Sequence, residues 1–194
     1  MKLYFAAAAA IALFASAPSY ATSVMSAGQG VAQDCSIAAK AGASLTERGR
    51  ANGIAACDAA LAGDLSQYGR AGTLVNRGII QAAAGNSEAA IADFDAAIAR
   101  QPDLAAGYMN RGAVFLRTGR YDQARADYDR AISLGTADAH VAYFNRGEAQ
   151  EAMGNLLAAY HDYRRAQQLA PNFEPASLEL ARFQVTSRQV ADSR

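Results

Sequence analysis

Small and apolar residues recur along residues 71–171 at intervals of three and four, with charged residues between them. This spacing places the apolar residues on one face of an α-helix. Gly85, Gly119 and Gly154 interrupt the pattern, each followed by a polar residue, and therefore mark turns between short helices. The pattern predicts an all-α chain built from pairs of antiparallel helices.

The predicted helix pairs repeat along the chain. An Asn-Arg-Gly motif occurs three times and ends at Gly78, Gly112 and Gly147, so that the glycines are 34 and 35 residues apart. A period in this range is the signature of stacked, identical units. An alanine, an aromatic residue and a second alanine follow each motif at constant spacing: Ala90, Phe94, Ala97, Ala124, Tyr128, Ala131, Ala159, Tyr163 and Ala166. We interpret these residues as packing positions within and between the helix pairs.

These motifs resemble the tetratricopeptide repeat, whose pattern runs from an aromatic residue through Leu-Gly and Tyr to Ala, Phe, Ala and a closing Pro. Pro102 and Pro171 take the closing position here, whereas Arg77, Arg111 and Arg146 replace the usual Leu. The resemblance implies an all-α fold, a right-handed α-solenoid of antiparallel helix pairs. It also implies a non-enzymatic module for protein–protein interaction.

The resemblance divides the chain into segments. In chain order they are a flexible leader at 22–34, a degenerate repeat at 35–70, three clear repeats at 71–104, 105–139 and 140–173, and a capping helix at 174–194. The capping helix is expected to carry Glu179 and Arg182 on a polar outer face. Ser87 is expected to cap the second helix of the first clear repeat.

Residues 1–21 are predicted to be a signal peptide. Lys2 precedes an apolar run from Leu3 to Ala17, and Ser19-Tyr20-Ala21 has the small-x-small form of a cleavage site. The apolar run is shorter than the ~20 residues that span a bilayer, so a transmembrane anchor is the less favoured alternative. We expect cleavage after Ala21, export to the periplasm or beyond, and no stable membrane anchor.

Cys35 and Cys57 are the only two cysteines in the chain. Two cysteines in an oxidising compartment usually pair, so the prediction of export carries with it a Cys35–Cys57 disulfide. Such a bond would close a loop of about 22 residues and stabilise the fold by roughly 3 kcal/mol in the chain-entropy treatment. The alternative is a buried free thiol at Cys57.

Composition gives no support for catalysis or for a charged macromolecular partner. Basic and acidic residues number 18 each, so nothing indicates binding to nucleic acid or to an acidic membrane. His140 and His161 have no metal-ligand spacing with the cysteines, and neither a phosphate-binding loop nor a nucleophile elbow is present. We therefore expect no cofactor, no metal and no enzyme, and an enzyme with a site outside the repeats is the least favoured alternative.

Each of the three unusual arginines has an aspartate 16 residues further on: Asp93, Asp127 and Asp162. Because both members recur in every repeat, we interpret them as ion pairs that join the two helices of a repeat, in preference to ligand-binding groups. A partly exposed pair contributes at most about 1 kcal/mol. This interpretation predicts that Arg111→Leu is neutral or stabilising, and that Asp127→Ala is destabilising.

The resemblance also implies a binding groove, because the first helices of successive repeats line the concave face of such arrays. Asn76, Asn110 and Asn145 recur on these helices, and an amide can pair with the backbone of an extended peptide as donor and acceptor. The other predicted groove residues are Val75, Met109 and Phe144 as an apolar rail, Ile79, Leu116 and Arg117 beside it, and Glu148 and Glu151 at an acidic C-terminal end.

The expected partner is a peptide or protein segment that is extended, apolar in part and basic toward one end. Two alternatives remain open at this point. In the first, the asparagines only form hydrogen bonds between adjacent repeats. In the second, the protein is a scaffold or assembly factor that acts through its repeat ends instead of the groove.

Overall fold

The computed structural model describes residues 29–192, with side chains for residues 30–183 except Ala43. Within that range the chain is helical without a β-strand, which confirms the predicted all-α, right-handed solenoid. The helices are α1 (Gln29–Ala41), α2 (Glu47–Ala62), α3 (Gln67–Ala83), α4 (Ser87–Arg100), α5 (Ala105–Arg117), α6 (Tyr121–Ser133), α7 (Ala139–Ala152), α8 (Leu156–Leu169) and α9 (Glu174–Asp192). The predicted signal peptide lies outside the described residues. In the described part of the chain no helix is both long and apolar enough to cross a membrane.

The predicted turns separate the two helices of each clear pair. Gly85, Gly119 and Gly154 have φ angles of 85°, 76° and 82°, in the left-handed region that glycine adopts without a Cβ penalty. Each of these glycines therefore ends the first helix of its pair and lets the chain reverse within a few residues. The pairs formed in this way are α3 with α4, α5 with α6 and α7 with α8.

The repeated small and aromatic residues form the core, as the sequence predicts. Phe94, Tyr128 and Tyr163 are completely or almost completely buried. Each ring packs against the glycine of its own repeat: a Cβ atom added to Gly78 would lie 2.6 Å from Phe94 Cε1. Burial of a large side chain of this kind stabilises the fold by about 2–3 kcal/mol, and any side chain at these glycines would displace the ring.

The predicted Arg–Asp pairs are present in all three repeats, and each has an additional member. Arg111 donates through Nε and Nη2 to Asp127 at 2.8 and 2.7 Å, and through Nη1 to Asp95 of the preceding repeat at 2.5 Å. The equivalent sets are Arg77 with Asp93 and Asp58, and Arg146 with Asp162 and Asp129. Each arginine therefore links three helices, and the hydrogen bond to Asp127 is the main cause that raises the pKa of Arg111.

The N-terminal repeat has a disulfide in place of an aromatic ring. Cys35 in α1 and Cys57 in α2 are bonded, with their Cα atoms 4.8 Å apart, and both are fully buried. Gly53, Cys57 and Ala60 have the same spacing as the alanine, aromatic and alanine positions of the later repeats. The bond thus fills the position that Phe94 fills in the next repeat.

Two local predictions are wrong. α1 begins at Gln29, so residues 29–34 are helical and not part of a flexible leader. Residues 30–34 are mostly exposed, and an exposed helical turn carries no apolar periodicity. Ser87 is the first residue of α4 and not its cap. Asn86 takes the cap position, but its amide donates to Gln81 Oε1 at 2.8 Å instead of capping the helix.

Candidate functional site

The array curves with its first helices on the inside. α3 contacts α5, and α5 contacts α7, whereas α4, α6 and α8 approach one another less closely. Helices that converge lie on the inner side of a curved stack, and helices that diverge lie on the outer side. We call the face formed by α3, α5 and α7 the groove, and it is the face that the sequence predicts for ligand binding.

Five of the predicted groove residues keep part of their surface accessible. They are Ile79, Asn110, Arg117, Glu148 and Glu151. Their order along the array changes from apolar in α3, through amide and guanidinium in α5, to carboxylate in α7. The accessible groove is therefore asymmetric in charge along its length.

The predicted apolar rail is not on the surface. Val75, Met109 and Phe144 are only 4, 4 and 3% exposed, and Leu116 is buried as well. Phe144 packs with Tyr163 at a ring-centroid distance of 5.4 Å. Positions next to each other on a helix point about 100° apart, so the residue beside an inward-facing asparagine points into the contact between repeats. These four residues belong to the core and not to the groove.

The three asparagines do not form a uniform ladder. Asn76 and Asn145 are buried, and only Asn110 is accessible. Asn110 Nδ2 donates to the carbonyl of Ala106 in its own helix at 2.8 Å. Asn145 Nδ2 donates to Tyr128 Oη of the preceding repeat at 3.3 Å. The alternative of a link between repeats therefore describes Asn145, while Asn110 is the asparagine that remains partly accessible on the groove.

Arg117 is partly committed to the scaffold. Its Nη1 donates to the Ala82 carbonyl at 2.7 Å and its Nη2 to Ser87 Oγ at 3.3 Å. Ala82 lies in the last turn of α3, where a positive charge is favourable because of the helix dipole. The guanidinium therefore joins two repeats. Because it is bonded in this way, Arg117 gives the described part of the groove no free positive charge at this point.

The C-terminal end of the groove is acidic, as predicted, and α9 contributes to it. Arg182 donates to both carboxylate oxygens of Glu151 at 2.6 Å and to Glu179 at 2.7 Å. Tyr163 Oη donates to Glu151 at 3.0 Å. The predicted outer position of Glu179 and Arg182 is thus wrong, because Arg182 bonds to Glu151 of α7 and Glu179 bonds to Arg182. We call Glu148, Glu151, Glu179 and Arg182 the acidic end.

Glu148 differs from its neighbours in having no hydrogen bond to one of its oxygens. Glu148 Oε2 is buried without a partner, and the same holds for Asn145 Oδ1. Burial raises the pKa of Glu148 to about 7, and the charges of Glu179 and Glu151 act in the same direction. A buried ionisable group without a partner is costly to keep and is typical of functional positions.

No group of three or more His, Cys, Asp and Glu residues within the described range is arranged to hold a metal ion. The accessible chemistry of the groove is that of hydrogen bonding and charge, with an apolar contribution from Ile79.

Stacked helix pairs with a groove on their inner face define a helical-repeat scaffold for protein interactions. A model of the tetratricopeptide repeat matches residues 75–139 and 116–172, which together span half of the chain. The chain belongs to the tetratricopeptide repeat family. A comparison with curated proteins found no significant match.

Solved structures share this fold. The first tetratricopeptide domain of Spaghetti (RPAP3), bound to the HSP90 peptide SRMEEVD, is 26% identical, with a TM-score of 0.58 over 61% of this chain and 94% of that chain. The second such domain of human RPAP3, in complex with the HSP70 peptide SGPTIEEVD, is 27% identical, with a TM-score of 0.58 over 61% and 98%. MamA from Desulfovibrio magneticus RS-1 is 19% identical, with a TM-score of 0.67 over 84% and 88%, and this likeness concerns the fold alone.

Proposed function

We propose that the protein is a non-enzymatic interaction module of the cell envelope that binds an extended peptide or protein segment in its groove. The observation that carries this proposal is the accessible polar surface along two neighbouring first helices, at Asn110 in α5 and at Glu148 and Glu151 in α7. The two RPAP3 domains, which are structurally similar, are described with bound peptides. That similarity supports a peptide as the ligand here.

The dimensions of the groove fit a short extended segment. Packed helices lie about 8–10 Å apart, so three first helices side by side span roughly 20 Å. An extended chain rises about 3.3 Å per residue, and about six residues therefore cross the groove. Asn110, at the centre, has an amide that can meet the backbone of such a segment at the cost of one bond within its own helix.

The location in the cell envelope rests on the predicted signal peptide and is supported by the disulfide. A fully buried bond between Cys35 and Cys57 fits an oxidising compartment. N-terminal sequencing of the protein recovered from its native cells tests this part. Thr22 as the first residue is the expected result, and an intact Met1 would contradict export through a cleaved signal.

The groove is tested with a phage-displayed library of random peptides selected on the wild-type protein. Binding of the strongest peptide is then compared between wild type, Asn110→Ala and Asp122→Ala. Asp122 is a matched control because it lies on α6 outside the groove and is 85% exposed. We expect Asn110→Ala to weaken binding about tenfold and Asp122→Ala to leave it unchanged. Equal affinities for all three proteins would contradict the groove proposal.

The repeat ends carry the second candidate function, assembly through end-to-end contacts. Leu178 in α9 is 61% exposed and Leu157 in α8 is 72% exposed, and a cleft of about 300 Å³ lies between α1 and α2 beside Ile37. Sedimentation velocity of wild type and Leu178→Ser tests this alternative. Concentration-dependent association that Leu178→Ser removes would favour assembly, and a monomer at all concentrations would exclude this end contact.

A further inference from the structure

Two buried acceptors at the acidic end have no donor. Asn145 Oδ1 and Glu148 Oε2 both lack a hydrogen-bond partner, and Asn145 is only 3% exposed. The two residues are three apart in α7, which places them on one helix face with about 5–6 Å between their Cβ atoms. Unsatisfied acceptors of this kind are rare in folded proteins because each costs free energy.

The neighbouring hydroxyl shows that these groups form one cluster. Tyr128 Oη accepts the Asn145 amide hydrogen at 3.3 Å. Burial, together with the charge of Glu148, raises the pKa of Tyr128. Tyr128, Asn145 and Glu148 therefore lie together at the junction of α6 and α7. The unused oxygens of the amide and the carboxylate are the acceptors available there.

The cations of the described chain do not pair with Glu148. Arg182 is bonded to Glu151 and Glu179, and Arg117 is bonded to Ala82 and Ser87. Glu151 is further satisfied by the hydroxyl of Tyr163. The acidic end thus brings three carboxylates together with one guanidinium, and Glu148 is the carboxylate left without a charged partner in the described part of the structure.

We propose that Asn145 and Glu148 form a subsite for a basic side chain, a lysine ammonium or an arginine guanidinium, of the segment bound in the groove. The inference rests on the proposed function. Both cations carry several donors and no acceptor, so one group can bond to the Glu148 carboxylate and to the Asn145 carbonyl. The bond to the carboxylate is charge-assisted and therefore among the stronger ones.

The basic segment proposed here differs in charge from the peptides described with the two RPAP3 domains. The peptides described with those domains, SRMEEVD and SGPTIEEVD, both contain consecutive glutamates. The acidic end here would repel such residues, because like charges in a partly desolvated site oppose binding. The same carboxylates attract a basic residue and so fix the direction in which a segment lies in the groove.

The subsite also predicts a dependence on pH. Burial raises the pKa of Glu148 to about 7, and the groups that face it are Glu151 on its own helix, Tyr128 on α6, Tyr163 on α8, and Glu179 and Arg182 on α9. A bound cation favours the ionised carboxylate and lowers this pKa. Binding of a basic segment therefore releases a proton near neutral pH, and the affinity falls when the pH drops below about 7.

The first arm of the test uses the strongest peptide from the library selection. Each of its basic residues is replaced in turn by a neutral isostere, citrulline for Arg or norleucine for Lys. Affinities are measured by fluorescence polarisation for wild type, Glu148→Gln and the control Glu88→Gln, whose carboxylate is exposed on α4. We expect one peptide replacement and Glu148→Gln each to weaken binding about tenfold, and the two together to weaken it no further than either alone.

The second arm needs no peptide. Methylguanidinium chloride is titrated into the full mature chain while the side-chain amide signal of Asn145 is followed by NMR. We expect a saturable shift that Glu148→Gln removes and Glu88→Gln retains. Replacement of a carboxylate by the isosteric amide keeps the shape of the site, and thermal melting confirms that both variants are folded.

The outcomes separate the subsite from the groove. The subsite would be overturned, while the groove proposal stands, if replacing the basic residues of the selected peptide does not change its affinity. The same follows if the losses of affinity from the peptide replacement and from Glu148→Gln multiply independently. Failure to select any peptide would contradict the groove proposal. In that case the methylguanidinium titration decides about the subsite. An unmoved Asn145 signal would overturn the subsite as well, and a saturable shift that is lost in Glu148→Gln would support the subsite.

Discussion

Removal of the Arg111 guanidinium is the perturbation that tests the packing between repeats most sharply. The sequence alone predicts that Arg111→Leu is neutral or stabilising, because it restores the apolar residue usual at this position. The structure reverses the expectation. Arg111 satisfies two carboxylates, and the side chain of Asp127 is only 7% exposed. The substitution would leave that carboxylate buried without its partner.

The magnitude follows from the two carboxylates. Loss of a partner from a fully buried pair costs about 3–5 kcal/mol, and the cost here is smaller because 20% of the Arg111 side chain reaches solvent. Asp95 is 54% exposed and regains water at little cost. The new leucine returns about 1 kcal/mol through burial. We expect a net loss of about 2 kcal/mol, which lowers the melting temperature by roughly 4–8 °C for a chain of this size.

Thermal melting followed by circular dichroism measures this effect at neutral and at acidic pH. Burial already raises the pKa of Asp127 against the opposing effect of Arg111, and loss of Arg111 raises it further. The folded variant then binds a proton more readily than the unfolded chain. The loss of stability relative to the wild type therefore becomes smaller as the pH falls toward about 4. Arg111→Leu/Asp127→Leu removes both members and should melt near the wild type.

Glu88→Ala is the control, because that carboxylate is 85% exposed and lies 3.8 Å from Arg120. It should change the melting temperature by less than about 2 °C. An Arg111→Leu protein that melts at or above the wild type, at neutral as well as acidic pH, would refute the reasoning. In that case Asp127 would not depend on its arginine.

The remaining predictions concern other parts of the same array. Reduction of the disulfide, or Cys57→Ser, should lower the stability by roughly 3 kcal/mol, and intact-mass measurement with and without reduction checks that the bond is present. Glu148→Gln should stabilise the protein by about 2 kcal/mol near pH 8 and by little near pH 4.5. The Glu148 carboxyl has a pKa of about 7 in the folded protein, so its ionisation costs stability only as the pH rises above the pKa it has in the unfolded chain. Melting at the two pH values checks the sign. Gly147→Ala should cost about 1–3 kcal/mol, since its Cβ would lie 2.7 Å from Tyr163 Cε1. Gly72→Ala has no atom within 4 Å of its Cβ and should stabilise α3 by up to about 1 kcal/mol.

The repeat itself could be predicted from the sequence, because its packing residues recur at a fixed spacing. The glycine and the aromatic residue, Gly78 and Phe94 in the first clear repeat, are 16 residues apart in every repeat. The arginine and the aspartate, Arg111 and Asp127 in the second, have the same separation. Contacts within one helix pair therefore keep a constant spacing. Contacts between pairs do not keep it. Asp58, Asp95 and Asp129 precede their arginines by 19, 16 and 17 residues. The segment from the end of one second helix to the next arginine differs in length between repeats, and the pattern therefore hid these contacts.

The groove was harder to predict than the fold. Val75 and Asn76 are neighbours in sequence, and whether each points to the core or to the groove depends on how closely the next first helix approaches. Asn145 is buried where it meets Tyr128 of the preceding repeat, to whose hydroxyl it donates, whereas the amide of Asn110 donates to the Ala106 carbonyl within its own helix. The role of Glu179 in the acidic end depends on the docking of α9 against α8, and the repeat pattern ends before this helix.

Binding of an extended segment along α3, α5 and α7 can be followed residue by residue by backbone NMR of the isotopically labelled protein. The spectrum is recorded while the strongest peptide from the library selection is added. Binding in the groove predicts saturable shifts at the amides around Ile79, Asn110 and Glu148, with α4, α6 and the outer part of α8 unchanged. Shifts confined to α1 or to α9 near Leu178, with the groove signals unmoved, would contradict it and assign binding to the repeat ends.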